Sequence, residues 1–274
     1  MVVILGYPLL YNVILSLKNV NIKTFASGNS VFVGLENYLS LFRNPDFLQV
    51  LRNTFVFTIS CIIGQFMIGF LLALFFSQKF VFSGWIRGLI FIVYMLPMSV
   101  TALLGKNMFD VTSGVVNDML MKFGMIQRPV EWLLGGSTAM LAVIIVNCWV
   151  GIPFNMLLFI TGLTGISQEI YESAQVDGAN SIQRFLHITL PLMKASIMSV
   201  LMLGFIYTFK VFDLIFVMTS GGPINATEVL GTFSYSLSFK QNEFSMGAAT
   251  AMILFACLFG VGLIYLRIIS KEDT

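Results

Sequence analysis

Long apolar runs separated by short polar segments dominate the chain. Six runs can be delimited: Met1–Leu17, Thr54–Gln78, Gly88–Gly105, Trp132–Gln168, Ala195–Ser220 and Phe244–Leu266. A transmembrane helix needs roughly 20 apolar residues, so the first run is a little short and its start is expected to be brief or truncated. Backbone groups in lipid must bond within their own element, and unbroken runs lack the alternation of a barrel. The pattern predicts an all-α, polytopic membrane helix bundle with about six transmembrane helices, in one domain covering residues 1–274.

Composition supports lipid as the solvent of this chain. Of its 274 residues, 57% are hydrophobic and 10% are charged, whereas soluble domains carry roughly 25% charged residues. A net charge of +2, without any Lys- and Arg-rich run, argues against a nucleic-acid partner. The three cysteines lie inside apolar runs without paired spacing, which favours small core side chains over a disulfide framework or a metal site.

One sustained polar stretch, YESAQVDGANSIQRFLHITLP (Tyr171–Pro191), interrupts this pattern. Ser167 can cap a first helix, in which Glu169 places a negative charge at the helix N-terminus. Gly178 tolerates a left-handed turn and is expected to end that helix. The loop is longer than a tether between two spans requires.

A second short helix is predicted after the turn, capped by Asn180 or Ser181. Its apolar positions follow the spacing i, i+3, i+4, i+7 and comprise Ile182, Phe185, Leu186 and Thr189. Pro191 lacks an N–H and is expected to kink or stop the chain before the next span. The stretch therefore predicts two short helices lying across the membrane surface.

The residues of this stretch resemble a known motif. Glu172, Ser173 and Ala174, then Gly178, then the run Ile188–Pro191 are spaced as in the E-A-A…G…I-x-L-P motif of ATP-binding-cassette (ABC) importer permeases, with Ser173 where that family usually has alanine. The stretches PLLYNVILSL, GIPFNMLLFITGL and FDLIFVMTSGGP are similar to the sugar-type branch. The TSGGP segment resembles the first permease of the heterodimeric pair in maltose-type and glycerol-phosphate-type systems.

This resemblance implies that a loop of about residues 163–192 lies in the cytoplasm and forms a coupling helix; the distribution of Lys and Arg does not decide the orientation. The implied coupling residues are Glu172, Ser173, Ala174, Asp177, Gly178, Ala179, Arg184, Ile188 and Pro191. The implied partners are a second related permease, two ATPase subunits that use ATP and Mg, an extracytoplasmic solute-binding protein and membrane lipid. No cofactor is expected on this chain, which has no phosphate-binding loop.

Polar residues inside apolar runs are candidates for the translocation path. Lys210 and Asp213 lie three residues apart in one predicted span, where they can pair with each other or line a path for a hydroxyl-rich solute. Asn147, Trp149 and Asn155 can hold a sugar by hydrogen bonds and an aromatic face, although packing or a place at the membrane interface explains them more simply.

Two further segments are expected to shape the chain. Gly151–Pro153 is expected to bend its helix. Gly221, Gly222 and Pro223 are expected to form a turn on the outer face, either as a plain helix stop or as a surface that meets the solute-binding protein.

The sequence thus predicts a permease subunit in the bacterial cytoplasmic membrane, not an enzyme, that imports a sugar or oligosaccharide by ATP-driven alternating access. Glycerol phosphate or another polyol is the alternative solute, and an ion-coupled secondary transporter is a rival mechanism. An intramembrane enzyme is disfavoured because the one histidine, His187, has no Cys or His near it in sequence. A plain interfacial helix and a structural scaffold remain the simplest non-transport interpretations.

Overall fold

A computed structural model describes residues 2–28, 30–78 and 80–270, so Met1 of the first predicted run lies outside the described residues. The described chain is mostly helical. Its one strand pair joins β1 (Lys18–Asn19) to β2 (Val31–Phe32) in antiparallel register, with Lys18 opposite Phe32. The all-α prediction is confirmed.

The helices fall into two sets along the chain. The first comprises α1 (Val2–Ser16), α2 (Ile22–Ser27), α3 (Glu36–Arg43), α4 (Pro45–Ser77), α5 (Ser83–Met95), α6 (Met98–Met108) and α7 (Val115–Lys122). The second comprises α8 (Gly136–Thr164), α9 (Gln168–Val176), α10 (Ser181–Arg184), α11 (Leu190–Leu192), α12 (Lys194–Phe209), α13 (Asp213–Met218), α14 (Leu230–Tyr235) and α15 (Phe244–Ser270). Two segments, Phe185–Thr189 and Ser236–Lys240, wind as π-helix.

Fewer straight spans are found than the sequence predicts. In the described part of the chain, α4, α8 and α15 are long and apolar enough to cross a membrane, and two bent helix pairs bring the number to at most five. The first pair, α5 and α6, meets at 96°, because Leu96 precedes Pro97 and takes an extended conformation with ψ 138°. With 15 residues, α1 is too short to be counted with them. Hydropathy shows which segments are apolar enough for lipid, but it does not show where a helix bends or breaks.

The predicted span Ala195–Ser220 is wrong as a single helix. Helix α12 ends at Phe209 and α13 begins at Asp213, with Phe212 off the helical region at φ −130° and ψ −60°. Lys210 and Asp213 therefore do not share a helix face, and the i, i+3 argument for their pairing fails. Gly231 permits the close approach of α14 to this break, since a Cβ there would lie 3.2 Å from the carbonyl oxygen of Val211.

The chain divides into two compact units, each assembled from three segments. Unit 1 comprises Met1–Thr58, Met98–Ile144 and Phe209–Val261, and unit 2 comprises Ile59–Pro97, Ile145–Thr208 and Gly262–Thr274. In unit 1, Phe47, Leu214 and Leu230 are fully buried. In unit 2, an aromatic core joins Phe70 to Phe159, with ring centroids 5.1 Å apart in an edge-on arrangement.

Within unit 2, α4 and α8 approach each other through small residues. A Cβ on Gly64 would lie 2.9 Å from the sulfur of Cys148, and one on Gly69 would lie 3.0 Å from the Cβ of Asn155. Gly151 leaves room for the side-chain amide of Gln65, as expected where membrane helices pack closely. Helix α8 continues without a break through the segment Gly151–Pro153, where the sequence predicts a bend.

Candidate functional site

The polar stretch folds as the sequence predicts up to its turn. The Oγ of Ser167 accepts a hydrogen bond from the backbone N–H of Glu169 at 3.3 Å, which caps α9. Gly178 follows the helix with φ +81°, and the N–H of Ala179 bonds the carbonyl of Ala174 at 2.9 Å. The predicted cap and the predicted left-handed turn are both confirmed.

The second helix begins at a reciprocal cap. The N–H of Gln183 donates to Oδ1 of Asn180 at 2.8 Å, and the N–H of Asn180 donates to Oε1 of Gln183 at 2.9 Å. This capping box satisfies two backbone donors at once. Asn180, rather than the alternative Ser181, is therefore the cap of α10.

The predicted apolar face of the second helix is not one face. The chain leaves α-helical winding at Phe185 and continues as π-helix to Thr189, so the i, i+3, i+4, i+7 spacing no longer applies. Thr189 is buried, whereas Ile182 is 70% exposed and Leu186 is 50% exposed. Pro191 cannot donate a backbone hydrogen bond, and the segment Ser181–Leu192 meets α12 at 62°. The predicted kink at Pro191 is confirmed.

A side-chain hydrogen bond closes the element on itself. The hydroxyl of Tyr171 on α9 lies 2.9 Å from Oγ1 of Thr189 in the π-helical segment. The second part of the loop, from Ser181 to Leu192, is anchored to the core of unit 2. There the ring of Phe185 packs against that of Phe70, with the ring centroids 6.1 Å apart. No local sequence rule predicts the Tyr171–Thr189 bond, because the partners are 18 residues apart. The two short helices are thus held as one body, which we term the 163–192 loop.

The exposed surface of the 163–192 loop carries both apolar and polar side chains. Val176 is 89% exposed, and Ile182 and Leu186 on the second helix are also exposed. Glu172 is exposed and its Oε1 accepts a hydrogen bond from Nε2 of Gln168 at 2.8 Å. Of the other predicted coupling residues, Ser173, Asp177, Gly178 and Pro191 are exposed, while Ala174, Ala179, Arg184 and Ile188 are half-buried.

His187 belongs to the π-helical segment of the same loop. It is exposed, and its Nδ1 is 3.1 Å from the carbonyl oxygen of Gln183. Among the described residues, no cluster of three or more His, Cys, Asp or Glu side chains could hold a metal ion.

A second ordered feature is the turn Thr219–Glu228, which we term the Gly-Gly-Pro turn. Gly221 has φ +86°, and a Cβ there would collide with the carboxylate of Glu228. The hydroxyl of Thr227 donates to the carbonyl of Gly222 at 2.8 Å. Glu228 is nearly fully buried, and this burial raises its pKa, an effect that the Thr232 hydroxyl and the positive charge of Lys240 reduce.

The tip of this turn presents an aliphatic side chain outward. Ile224 is 94% exposed and has φ +46°, a left-handed conformation that is strained for a β-branched residue. The turn is tied to α4 by Asn53, whose Nδ2 donates to the carbonyl of Asn225 at 2.8 Å, and by a longer bond of 3.4 Å from Gln49 to the carbonyl of Ile224. The strained tip is therefore held by its surroundings.

The candidate path residues lie in different settings. Asn147 and Asn155 are buried on the face of α8 that packs against α4, and the carbonyl of Asn147 accepts a 3.1 Å bond from Nε2 of Gln65. Trp149 is partly exposed. Lys210 and Asp213 are exposed and belong to unit 1, whereas the α8 residues belong to unit 2. The structure therefore does not bring these five residues together within one unit.

Comparison with known proteins identifies the class of membrane protein. The family model for the binding-protein-dependent transport system inner membrane component matches residues 65–271. The chain belongs to this family. A probable ABC transporter permease protein of Bacillus subtilis, YurN, is 33% identical over 97% of this chain and 91% of its own length. The sulfoquinovosyl glycerol transport system permease protein SmoG of Agrobacterium fabrum is 34% identical over 88% of this chain and 78% of its own length.

A solved structure shares the fold of this permease. The crystal structure of a bacterial alginate ABC transporter in complex with an alginate pentasaccharide-bound periplasmic protein contains a chain that matches with a TM-score of 0.75 and 22% identity. The match covers 85% of this chain and 81% of that chain. This similarity establishes the permease fold.

Family membership fixes the role of the chain. It is a multi-pass membrane permease subunit of a binding-protein-dependent ABC importer, a transport subunit rather than an enzyme. ABC importers take their energy from ATP through partner ATPase subunits. Membership also sets aside the ion-coupled secondary transporter and the intramembrane enzyme.

Proposed function

We propose that this permease carries a sugar or oligosaccharide into the cytoplasm. The proposal is supported by the relative SmoG, whose name refers to sulfoquinovosyl glycerol, and by the alginate transporter that shares the fold. Glycerol phosphate or another polyol is the alternative solute. Lys210, Asp213, Asn147, Trp149 and Asn155 are the proposed path residues.

The observation that carries the mechanism is the 163–192 loop, two short helices joined by the Tyr171–Thr189 bond that expose three apolar side chains. We assign it as the cytoplasmic coupling element. An exposed apolar patch with a polar rim suits a cleft on a partner protein. The Tyr171–Thr189 bond ties the two arms together, and the chain runs directly from them into α8 and α12, so a displacement of the loop would be passed to these helices. ATP-driven closure of two ATPase subunits would then shift the populations of inward-open and outward-open states.

Individual residues have distinct roles in this assignment. Val176, Ile182 and Leu186 would fill the cleft of the ATPase. Glu172 lies at the rim and is suited to a charge-assisted hydrogen bond with a basic residue. Gly178 sets the angle between the two arms. ATP and Mg would bind the partner ATPase subunits, and no cofactor is expected on this chain.

The Gly-Gly-Pro turn is the proposed contact with the solute-binding protein. We assign this turn to the outer face of the membrane, where the sequence pattern also predicts it. The exposed Ile224, presented on a braced turn, suits an apolar crevice on a soluble partner. A second related permease would complete the pathway, with residues 1–274 forming one transmembrane domain of the pair.

Site-directed cross-linking tests the coupling assignment. A Cys placed at Val176 in the assembled importer is expected to cross-link to an ATPase subunit, and a Cys placed at Ile224 is not. Modification of the Val176 cysteine by a membrane-impermeant reagent added outside intact cells would contradict the assignment. Uptake of the solute that persists in proteoliposomes without ATP would contradict the transport mechanism itself.

A further inference from the structure

A cleft of about 550 Å³ opens in unit 2 between the end of α4, the start of α5 and the end of α8. Its polar lining comprises Ser77, Gln78, Ser83, Arg87 and Thr164. This volume lies within the range of small-molecule sites, about 300–1,000 Å³. Thr164 also belongs to the 163–192 loop, so the cleft lies beside the proposed coupling element.

The charge of the cleft is positive. Arg87 is half-buried and carries the only formal charge in the part of the lining that the structure describes. Its Nε donates to the carbonyl of Ser83 at 3.3 Å, which holds the guanidinium at the first turns of α5. A guanidinium presents a planar fork of donors that matches phosphate oxygens, and a helix N-terminus adds positive potential. An anion bearing phosphate fits this lining.

An apolar groove continues from the cleft along α5. It has a volume of about 450 Å³ and is lined by Gly84, Trp85, Gly88, Leu89 and Ile92. Gly84 lines both the cleft and the groove. A Cβ at Gly84 or Gly88 would meet no described atom within 4 Å, so the two glycines keep the groove open.

The shape of the cleft and groove together favours a phospholipid over a free phosphate. A free phosphate would use the cleft and leave the groove unused, whereas a phospholipid has a charged head group joined to hydrocarbon chains. Trp85 is 79% exposed at the junction, and tryptophan is enriched at the level of lipid head groups. Basic pockets at the cytoplasmic ends of membrane helices suit anionic lipid head groups.

We propose that this cleft binds the phosphodiester head group of an anionic phospholipid of the inner leaflet, with Arg87 on the phosphate and an acyl chain in the groove along α5. The choice of leaflet rests on the orientation given under Proposed function; binding itself does not. Since Thr164 is shared, a bound lipid would brace the end of α8 where the 163–192 loop begins.

The test compares the assembled importer in nanodiscs of phosphatidylcholine with and without phosphatidylglycerol. A ligand that binds the folded state raises the midpoint of thermal unfolding. We expect phosphatidylglycerol to raise the midpoint of the unmodified importer by about 2–4 °C and to be retained on the complex in native mass spectrometry. Millimolar inorganic phosphate is expected to give no rise.

Two variants probe the two parts of the feature independently. Arg87→Gln removes the charge of the cleft, and Gly88→Leu fills the groove without a clash; each is expected to abolish most of the rise. The matched controls are Arg43→Gln, an exposed arginine on α3, and Gly260→Leu, a glycine of α15 with equally open surroundings. Both controls are expected to keep the full rise.

Three outcomes would overturn the proposal. They are no rise in the unmodified importer, a full rise in both Arg87→Gln and Gly88→Leu, and a rise that inorganic phosphate reproduces, which would indicate a free-anion site. The measurement needs neither ATP nor solute. A failure of the coupling assignment would appear in cross-linking and uptake while leaving this lipid effect intact.

Discussion

Gly178 and Gly221 are both left-handed, with φ of +81° and +86°, yet their surroundings are opposite. A Cβ at Gly178 would meet no described atom within 4 Å, whereas a Cβ at Gly221 would collide with the buried carboxylate of Glu228. The first position needs glycine only for its backbone conformation. The second needs glycine for conformation and for space.

This difference extends to the two regions that contain them. The 163–192 loop is closed by few bonds and leaves Val176 and Ile182 exposed, so its stability depends on what it binds. The Gly-Gly-Pro turn fills its interior with its own side chains, Thr227 and Glu228, and exposes chiefly Ile224 at the tip. Substitutions in the loop should therefore affect coupling, and those inside the turn should affect folding.

The largest effect is expected from Gly221→Ala. The left-handed conformation costs an alanine roughly 1–2 kcal/mol, and displacing Glu228 from its buried position brings the total loss of unfolding free energy to about 2–4 kcal/mol. Thermal unfolding of the purified importer measures it. Gly178→Ala is the control and is expected to lose only the conformational part. Equal losses in the two variants would remove the distinction drawn here.

Ile224→Asn should separate binding from folding within the turn. Asparagine tolerates left-handed φ, so stability is expected to be unchanged or slightly higher. The variant loses a buried aliphatic contact worth about 1.5–3 kcal/mol. The affinity of the solute-binding protein for the permease should therefore fall at least tenfold. The concentration of binding protein that gives half-maximal ATPase stimulation reports this affinity. An unaltered half-maximal concentration would argue against the proposed contact.

Gly178→Leu tests the loop. Strain of roughly 1–2 kcal/mol at this position reduces the population of the correct arm angle about tenfold, so uptake driven by ATP should fall by a similar factor while membrane insertion stays normal. Gly124→Leu is the matched control, since Gly124 is also left-handed with φ +69° and open surroundings but lies outside the loop. Normal uptake by Gly178→Leu would dismiss the coupling role.

Tyr171→Phe should have a smaller effect. It removes one half-buried hydrogen bond to Thr189, worth about 1 kcal/mol, and should increase amide hydrogen exchange in both arms of the loop. Thr189→Val should have the same consequence. The double variant should be no more mobile than either single one, and additive increases would show that the two side chains do not act as a pair.

Local rules account for much of the loop and for less of the rest. The cap at Ser167, the turn at Gly178 and the kink at Pro191 each depend on a residue and its immediate neighbours, and the sequence predicts all three. The bend at Pro97 follows the same kind of rule, since a residue before proline is driven to extended structure. The sequence pattern misses this bend because residues on both sides of Pro97 belong to one apolar run.

Other features depend on contacts between distant segments. Three such features arise from packing within the folded units. They are the π-helical segment ending at Thr189, the break between Phe209 and Asp213, and the fit of Gln65 against Gly151. The predicted i, i+3, i+4, i+7 spacing assumes uniform α-helical winding. It therefore places Ile182 and Thr189 on one face, whereas the π-helical segment separates them. The motif singles out the loop as a candidate, whereas the Tyr171–Thr189 bond that closes it is a contact across 18 residues that the motif does not predict.

The smallest effect is expected from Glu228→Gln, which tests whether the interior of the Gly-Gly-Pro turn responds to pH. Burial raises the pKa of Glu228 above its ordinary value of 4.5 in the folded state, so the folded protein holds this proton more tightly than the unfolded chain. The associated stability is present below pH 4.5 and is lost as pH rises through the folded pKa. Glutamine is neutral and nearly isosteric, so the variant should lack this decline.

The unfolding midpoint of both proteins, measured from pH 4.5 upward, gives the comparison. Glu131→Gln, at an exposed carboxylate, is the control and should follow the unmodified importer. If Glu228→Gln retained the decline, the carboxylate of Glu228 would not be the group that titrates.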